Sequence, residues 1–398
     1  MDKGDAMSET VILAGARTPI GKMSGGLASF RGTELGALAI QAALNRAGVA
    51  PEQVDYVFMG QVLLAGEGQA TARQAAVGAG IPMTVPATTV NKVCLSGINT
   101  VYLAHQMISA GDAEIVVAGG MESMTKAPYL LTKAREGYRL GDGDLVDSMM
   151  YDGLFCAFDQ CAMGTGTEKY AASSGLPREP QDAFSAQSHD RASAAAAAGL
   201  FDDEVVPVEV PQRRGDPVTV SADEGVRPDA TAESLGRLRP AFAASGNITA
   251  GNASQISDGA SALVVASRER AEQLGVAPLG SYVGYGQVAG PDPSLLTQPS
   301  RAVFQALKSA DLSLGAVDLF EINEAFAAVA LASMADLGIS DDVVNVNGGA
   351  IALGHPIGAS GNRIVLTLLH ELRRRGGGVG AAALCGGGGQ GDALLIRV

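Results

Sequence analysis

Val54-Asp55-Tyr56-Val57-Phe58-Met59-Gly60 and Val317-Asp318-Leu319-Phe320-Glu321-Ile322-Asn323 are two diverged copies of one pattern in a single chain. Each copy follows a helix-like segment. In the first this is 35–47, with Thr33 upstream as its N-cap, and in the second it is 301–310. The correspondence continues with Val90-Asn91 and Val346-Asn347, each leading into a Gly/Ser turn and then an amphipathic run, 98–109 and 363–374. Each run ends in glycine and a small apolar strand, Ala113-Glu114-Ile115-Val116-Val117-Ala118-Gly119-Gly120 or Val379-Gly380-Ala381-Ala382-Ala383-Leu384-Cys385-Gly386. Strands and helices alternating at this spacing predict α/β units and largely parallel sheets. Two similar halves around a pseudo-twofold axis bury both faces of their sheets, which suits continuous apolar strands. The region between the halves, about 125–252, carries proline, charge clusters and irregular spacing, and reads as an inserted loop domain. Its Ala-rich stretch 193–198 reads as helix.

A chain of 398 residues exceeds one ordinary core and predicts two or three domains. Hydrophobic content of 47% with 18% charged residues describes a well-buried globular protein. The formal net charge of −14 argues against nucleic acid or an anionic membrane as general partner, so an anionic substrate needs a local basic patch. No apolar run is long enough to span a bilayer. The first residues show neither the basic nor the apolar region of a secretory signal, and Met7 offers a second start. Few cysteines without a signal fit free thiols in a reducing compartment, and a cytoplasmic location is expected.

Against only 4 Cys and 4 His, the placement of three of them on glycine-rich turns is informative. Cys94 lies in Asn91-Lys92-Val93-Cys94-Leu95-Ser96-Gly97, at the start of a predicted helix whose N–H groups and dipole favour a thiolate. Such a thiol is either an activated acyl acceptor or a buried structural cysteine. His355 lies in Gly354-His355-Pro356-Ile357-Gly358-Ala359-Ser360-Gly361, as a base and oxyanion donor or as a solvent-facing turn residue. Cys385 opens Cys385-Gly386-Gly387-Gly388-Gly389-Gln390-Gly391, which reads as an anion-binding nest or a nucleotide loop, although no helix of useful length follows. Gly15 to Gly21-Lys22-Met23 misses the spacing and the Ser/Thr of a P-loop. Asn323, in Asn323-Glu324-Ala325-Phe326, ends a strand, where it positions a water or caps a helix. Cys156 and Cys161 lack a metal-ligand set and read as core or lining. His105 and His370 read as surface or packing residues within helices, and His189 as helix surface.

With these motifs and Gly119-Gly120-Met121-Glu122-Ser123-Met124 and Thr249-Ala250-Gly251-Asn252-Ala253-Ser254, in that family's order, the chain resembles the thiolases over nearly its whole length. The resemblance implies a five-layered αβαβα fold. Residues 1–124 and 256–279 would form the first half, 125–255 the loop domain and 280–398 the second half. It implies a homodimer or homotetramer, acyl-CoA and CoA as partners, and neither metal nor redox cofactor. By the same resemblance Cys94 is the acylated nucleophile, and His355 its base and a donor to the thioester oxygen. Cys385 exchanges the substrate α-proton, and Asn323 holds a water that completes the first oxyanion hole. The N–H groups of Cys94 and Gly387 form the second hole. Coenzyme A contacts are expected from Arg227 and Ser234 near adenine and ribose, and from Phe242, Ala250, Ser254 and Met163 along the pantetheine. Leu154 and Phe326 are expected at the pocket wall.

The chain departs from that pattern where Ala162 precedes Met163-Gly164, where Leu95 follows Cys94, and in the short stretch Asp292-Pro293-Ser294-Leu295-Leu296-Thr297-Gln298-Pro299. These positions bear on acyl chain length. The expected activity is acetyl-CoA C-acetyltransfer. The alternatives are a β-oxidation thiolase for longer 3-ketoacyl-CoA and a catalytically silent CoA-binding scaffold.

Overall fold

The computed structural model describes residues 9–398, so the alternative start at Met7 lies outside the described residues. Five strands build the first half: β1 (Thr10–Arg17), β2 (Tyr56–Gly60), β3 (Ala87–Val90), β4 (Ile115–Ser123) and β5 (Ser257–Ser267). Their spatial order is β3-β2-β4-β5-β1. Four strands repeat the arrangement: β6 (Gly280–Ala289), β7 (Leu319–Ile322), β8 (Val379–Gly386) and β9 (Gln390–Arg397), in the order β7-β8-β9-β6. Val344 bridges Phe320 of β7 in parallel and so takes the place that β3 holds beside β2. The halves meet at β1 and β6, through the antiparallel pairs Val11↔Ser281 and Ile12↔Gly280.

The expectation of largely parallel sheets is corrected. Only β2–β3, β2–β4 and β7–β8 are parallel, while β4–β5, β5–β1, β8–β9, β9–β6 and β1–β6 are antiparallel. The physical cause lies in the connections. Helical crossovers make parallel neighbours, but β8 turns straight into β9 through glycines, with Gly388 and Gly389 at φ +79° and +67°. The glycine run after Cys385 is therefore a hairpin turn between two strands and not a nucleotide loop leading into a helix.

Helices cover and separate the sheets. Helices α1 (Gly32–Ala47) and α2 (Thr71–Gly78) bury Leu35, Ile40, Leu44, Ala72 and Ala75 against the outer face of the first half. In the middle, α3 (Ser96–Ser109) and the last helix, α11 (Ile357–Arg374), share one apolar core with both halves. That core includes Ile98, Val101, Ile364, Leu368, Leu384 and Leu394. On the far face, α8 (Gln298–Ser309) and α9 (Ala327–Leu337) bury Val303, Leu307, Ala330 and Met334. The result is an αβαβα sandwich in which α3 and α11 lie in the central layer.

Between β4 and β5 the chain makes a long excursion that carries α4 (Met163–Ser173), α5 (Arg178–Ala197) and α6 (Ala232–Gly236). It leaves and returns at one place, because Ser123 and Asp258 are paired. The Ala-rich stretch is helical, as part of α5. The short helices α7 (Arg268–Leu274) and α10 (Ala350–Leu353) complete the set.

Several boundaries differ from the sequence reading. The N-cap of α1 is Arg31, with Glu34 accepting from its N–H, and Thr33 is already inside the helix. Helix α11 begins at Ile357, so Gly358 and Gly361, read as turn residues, are helical. Their lack of a side chain serves packing. A Cβ at Gly361 would lie 2.5 Å from the Ile98 nitrogen, and one at Gly97 would lie 2.8 Å from the Gly358 oxygen. The first turns of α3 and α11 thus touch backbone to backbone.

Candidate active site

That contact brings together the two loops preceding the central helices. The first, between β3 and α3, holds Val93 at φ +51°, a strained conformation for a β-branched residue. Local hydrogen bonds fix it: Val93 N–H donates to Asn91 Oδ1 (3.1 Å), Lys92 N–H to Ser96 Oγ (2.8 Å), and Ser96 Oγ to the Val93 carbonyl (2.6 Å). Lys92 Nζ also reaches Asp392 Oδ1 on β9 at 2.7 Å. In the second loop, His355 N–H donates to the Gln255 carbonyl and to Ser257 Oγ, both at 3.2 Å.

His355 Nε2 lies 3.3 Å from Cys94 Sγ, and its Nδ1 lies 2.6 Å from Ser360 Oγ. Ser360 donates its own proton to the Pro356 carbonyl at 3.0 Å. Its oxygen must then accept from Nδ1–H, which leaves Nε2 as the proton acceptor facing the thiol. This tautomer follows from the hydrogen-bond network.

Burial, followed by the charge of Glu122, pushes the Cys94 thiol up to about 12. Burial, with a smaller push from Arg363, lowers His355 to about 4. The resting pair is therefore a neutral thiol and a neutral imidazole, and the expectation of a helix-stabilised thiolate at Cys94 is corrected. Cys94 precedes the N-cap Leu95, outside the helix proper, and burial outweighs the dipole. Cys385, near the end of β8, is fully buried; desolvation raises its pKa, and so does the nearby Cys94.

Cys94, His355, Cys385 and Gly387 line one cavity of about 540 Å3. Leu154, Met163, Phe242, Ala250, Ser254 and Phe326 line it too, and Arg227 joins them there. The inserted segment docks on the second half beside it. Ser254 N–H donates to the Ala325 carbonyl at 3.0 Å, and Ala327 N–H to the Asn252 carbonyl at 2.9 Å. Phe242 meets Phe326 edge-on, with ring centroids 6.3 Å apart.

Two expected site residues stand apart from this lining. Asn323 is buried behind it, and neither polar atom of its side chain has a protein hydrogen-bond partner. Helix capping does not account for it, because the N-cap of α9 is Phe326. A buried amide of this kind requires water or a ligand. Ser234 is exposed and completes the capping box of α6 with Thr231.

Other readings change. His189 is buried, and its Nδ1 accepts the Arg227 N–H at 3.1 Å, so it fixes the Arg227 loop and is no surface residue. Sequence reasoning missed three contributors. Lys22 joins Arg227 as a second cation in the lining. Ser360 sets the tautomer of His355. Glu122 is a buried carboxylate that accepts from Val62, Leu63 and Gly358 N–H groups at 2.9–3.1 Å, tying the start of α11 to β4 and the loop after β2. Ser360 and Glu122 lay within quoted motifs, but their partners come from distant segments. Among the described residues there is no cluster of three or more His, Cys, Asp or Glu suited to a metal ion, and no helix is long and apolar enough to cross a membrane.

A duplicated five-layer fold with one thiol and an imidazole ahead of the two central helices and a second thiol near the end of β8 defines a class. Residues 10–269 match the family model "Thiolase, N-terminal domain", and residues 276–398 match "Thiolase, C-terminal domain". The chain belongs to the thiolase family and is an acyltransferase of that family. It is 55% identical to a probable acetyl-CoA acetyltransferase of Mycolicibacterium smegmatis, over 97% of this chain and 100% of that one. An acetyl-CoA acetyltransferase of Cupriavidus necator is 53% identical over 98% and 100%. The crystal structure of the Bacillus anthracis acetyl-CoA acetyltransferase superposes with a TM-score of 0.96 at 42% identity, covering 99% of this chain and 100% of that one.

Proposed function

We propose that this enzyme is an acetyl-CoA C-acetyltransferase. It would condense two acetyl-CoA reversibly to acetoacetyl-CoA and CoA through an acyl-enzyme on Cys94. The observation that carries this reading is the Cys94–His355 contact of 3.3 Å, with Cys385 on the same cavity. Nε2 takes the thiol proton as sulfur attacks the first thioester and keeps it, becoming a donor, while the departing CoA thiolate receives its proton from Cys385, which is left as the thiolate. The Cys94 and Gly387 N–H groups stabilise the tetrahedral oxyanion. Cys385 then exchanges a proton with the methyl carbon of the second acetyl-CoA. The enolate oxygen is held by His355 and by a water on Asn323, whose unpartnered amide supports that role. Arg227 and Lys22 supply the local positive charge that an acidic chain needs for a phosphate-bearing substrate, and Met163, Phe242, Ala250 and Ser254 contact its pantetheine arm. Leu154 and Phe326 bound the acyl group. Ser234, exposed and outside the cavity lining, keeps only the expected adenine-side contact.

In the same reading the segment 125–255 is a loop domain that binds CoA, the protein is cytoplasmic, and it assembles as a homodimer or homotetramer. Exposed apolar side chains along one stretch, Tyr129, Leu131, Tyr138, Leu140 and Leu145, support assembly.

A second reading, cleavage of longer 3-ketoacyl-CoA, is favoured by one observation. A neighbouring cavity of about 500 Å3 shares Val93, Gly153, Met163 and Gly387 with the first and is lined by Tyr151, Phe155 and Phe158. The deciding experiment is kcat/KM for CoA-dependent cleavage of acetoacetyl-CoA beside 3-ketodecanoyl-CoA. Preference for the short substrate supports the acetyltransferase, and preference for the long one replaces it with the second reading. Absence of turnover on both overturns the two together.

A further inference from the structure

The function described above uses two of the four cysteines. The other two face each other. Residues Phe155 and Cys156 pair antiparallel with Cys161 and Ala162, in the register Phe155↔Ala162 and Cys156↔Cys161. The strands are joined by a tight turn in which Gln160 has φ +50°. Directly opposed residues of an antiparallel pair project on the same face. Their Cα atoms lie about 4.5–5.5 Å apart, inside the window of about 4.4–6.8 Å for a disulfide. Opposed Cβ atoms lie about 4.5–5.5 Å apart and a disulfide needs about 3.5–4.5 Å, so closure asks for a local shift of about an ångström. Both thiols are free in the structure.

The hairpin is also part of the cavity wall. Leu154, just before its first strand, and Ala162 and Met163, at and after its second, line the main cavity. Cys156 and Phe158 line the neighbouring one. Its turn is tied to α4, since Tyr170 OH donates to Asp159 Oδ2 at 3.1 Å. Drawing the two strands together therefore draws Leu154 and Met163 together.

We propose that Cys156 and Cys161 form a reversible disulfide by exchange with a small-molecule disulfide, and that this bond staples the wall of the acyl pocket. The half-buried Cys161 attacks as thiolate. A Cys161–S–S–R bond forms as the R–S–S–R bond breaks, and one RS⁻ leaves. The buried Cys156 then loses its proton and attacks the Cys161 sulfur, releasing the second RS⁻. Two protein thiols are oxidised, and one external disulfide is reduced to two thiols. Burial and the charge of Asp159 raise the pKa of Cys161, so the exchange is slow at neutral pH and accelerates as pH rises.

The chemistry is tested without reference to activity. In a Cys94→Ser, Cys385→Ser variant only these two thiols remain. Incubation with oxidised glutathione is expected to take maleimide-reactive thiols from two to none. Cleavage after Phe158 should then yield two peptides that stay joined until dithiothreitol is added. Persistent free thiols, or glutathione left on Cys161 as a stable mixed disulfide, would overturn the proposal. The staple rests on the reading of the cavity as an acyl pocket and has its own test. After oxidation, the enzyme with intact Cys156 and Cys161 should lose about tenfold in kcat/KM for a longer 3-ketoacyl-CoA relative to acetoacetyl-CoA. The Cys156→Ser enzyme, treated alike, should keep its ratio. A disulfide that forms while the ratio stays fixed would remove the staple and leave the modification site.

Discussion

The two halves of the molecule share a backbone plan and divide the chemistry unequally. Each ends a loop at the start of a central helix. In the first half that loop presents Cys94 ahead of α3, and in the second it presents His355 ahead of α11. The strands that lead into the site differ more. Near the end of β8 stands Cys385, the thiol proposed to exchange the substrate proton. Near the end of β4 stands Glu122, whose carboxylate is used up by three backbone N–H groups and holds the helix that carries His355 in place. The two strand ends therefore serve differently, and neither half can form the site alone because Cys94 and His355 come from different halves.

The largest break in this comparison comes from the proposed nucleophile. Cys94→Ala is expected to abolish the acetyl adduct and lower turnover by on the order of a thousandfold or more. Mass spectrometry with acetyl-CoA checks it, and an adduct on Cys385 would reverse the assignment of the two thiols. Cys385→Ala should still acetylate Cys94 in a single turnover but lose about 10²–10⁴-fold in condensation. Asn323→Ala should lower condensation by about 10²-fold with little change in acylation, measured as the ratio of the two half-reactions.

How much of this was legible in the sequence depends on the range of the interaction. Strands β7 and β8 were readable to the residue, because apolar runs bounded by turns carry their own signal. The sheet's mixed direction was not, since strand direction depends on connections that no local pattern encodes. Cys94, His355 and Cys385 stood out as rare residues on glycine turns. The hydrogen bond that selects the tautomer of His355 did not, because a serine five residues on is visible as a partner only once α11 is known to start at Ile357. The same limit explains the misreading of Cys94. Burial dominates its protonation, and burial is a property of the assembled fold.

That tautomer makes a pH prediction. A histidine lowered to about 4 in the folded enzyme stays neutral well below the ordinary imidazole value of about 6.5. Acylation of Cys94 should therefore hold its plateau as pH falls past the ordinary value and decline only toward pH 4. The same shift removes stability over that window, because the unfolded chain binds the proton first. Ser360→Ala frees the second tautomer and should cost about tenfold in acylation. A single-turnover pH series on both enzymes measures these together, and a wild-type limb centred near the ordinary value would contradict the buried neutral imidazole.

The smallest expected effect tests the tie between halves. Lys92, two residues before Cys94, donates to Asp392 on β9, and Tyr285 of β6 donates to the same carboxylate at 2.7 Å. Asp392 is fully buried and lies one pair along from Cys385↔Gly391. The ion pair therefore sets the loop of one thiol against the strand paired with that of the other and helps to hold the strained Val93. Lys92→Met strands a buried carboxylate and should destabilise the fold by about 3 kcal/mol, read from the denaturation midpoint. Asp392→Asn keeps the Tyr285 contact and should destabilise less. In both variants condensation, which needs the two thiols in register, should fall several-fold further than acylation, which needs only Cys94 and His355. Equal loss in the two half-reactions would show that the pair supports the fold without setting the spacing of the thiols.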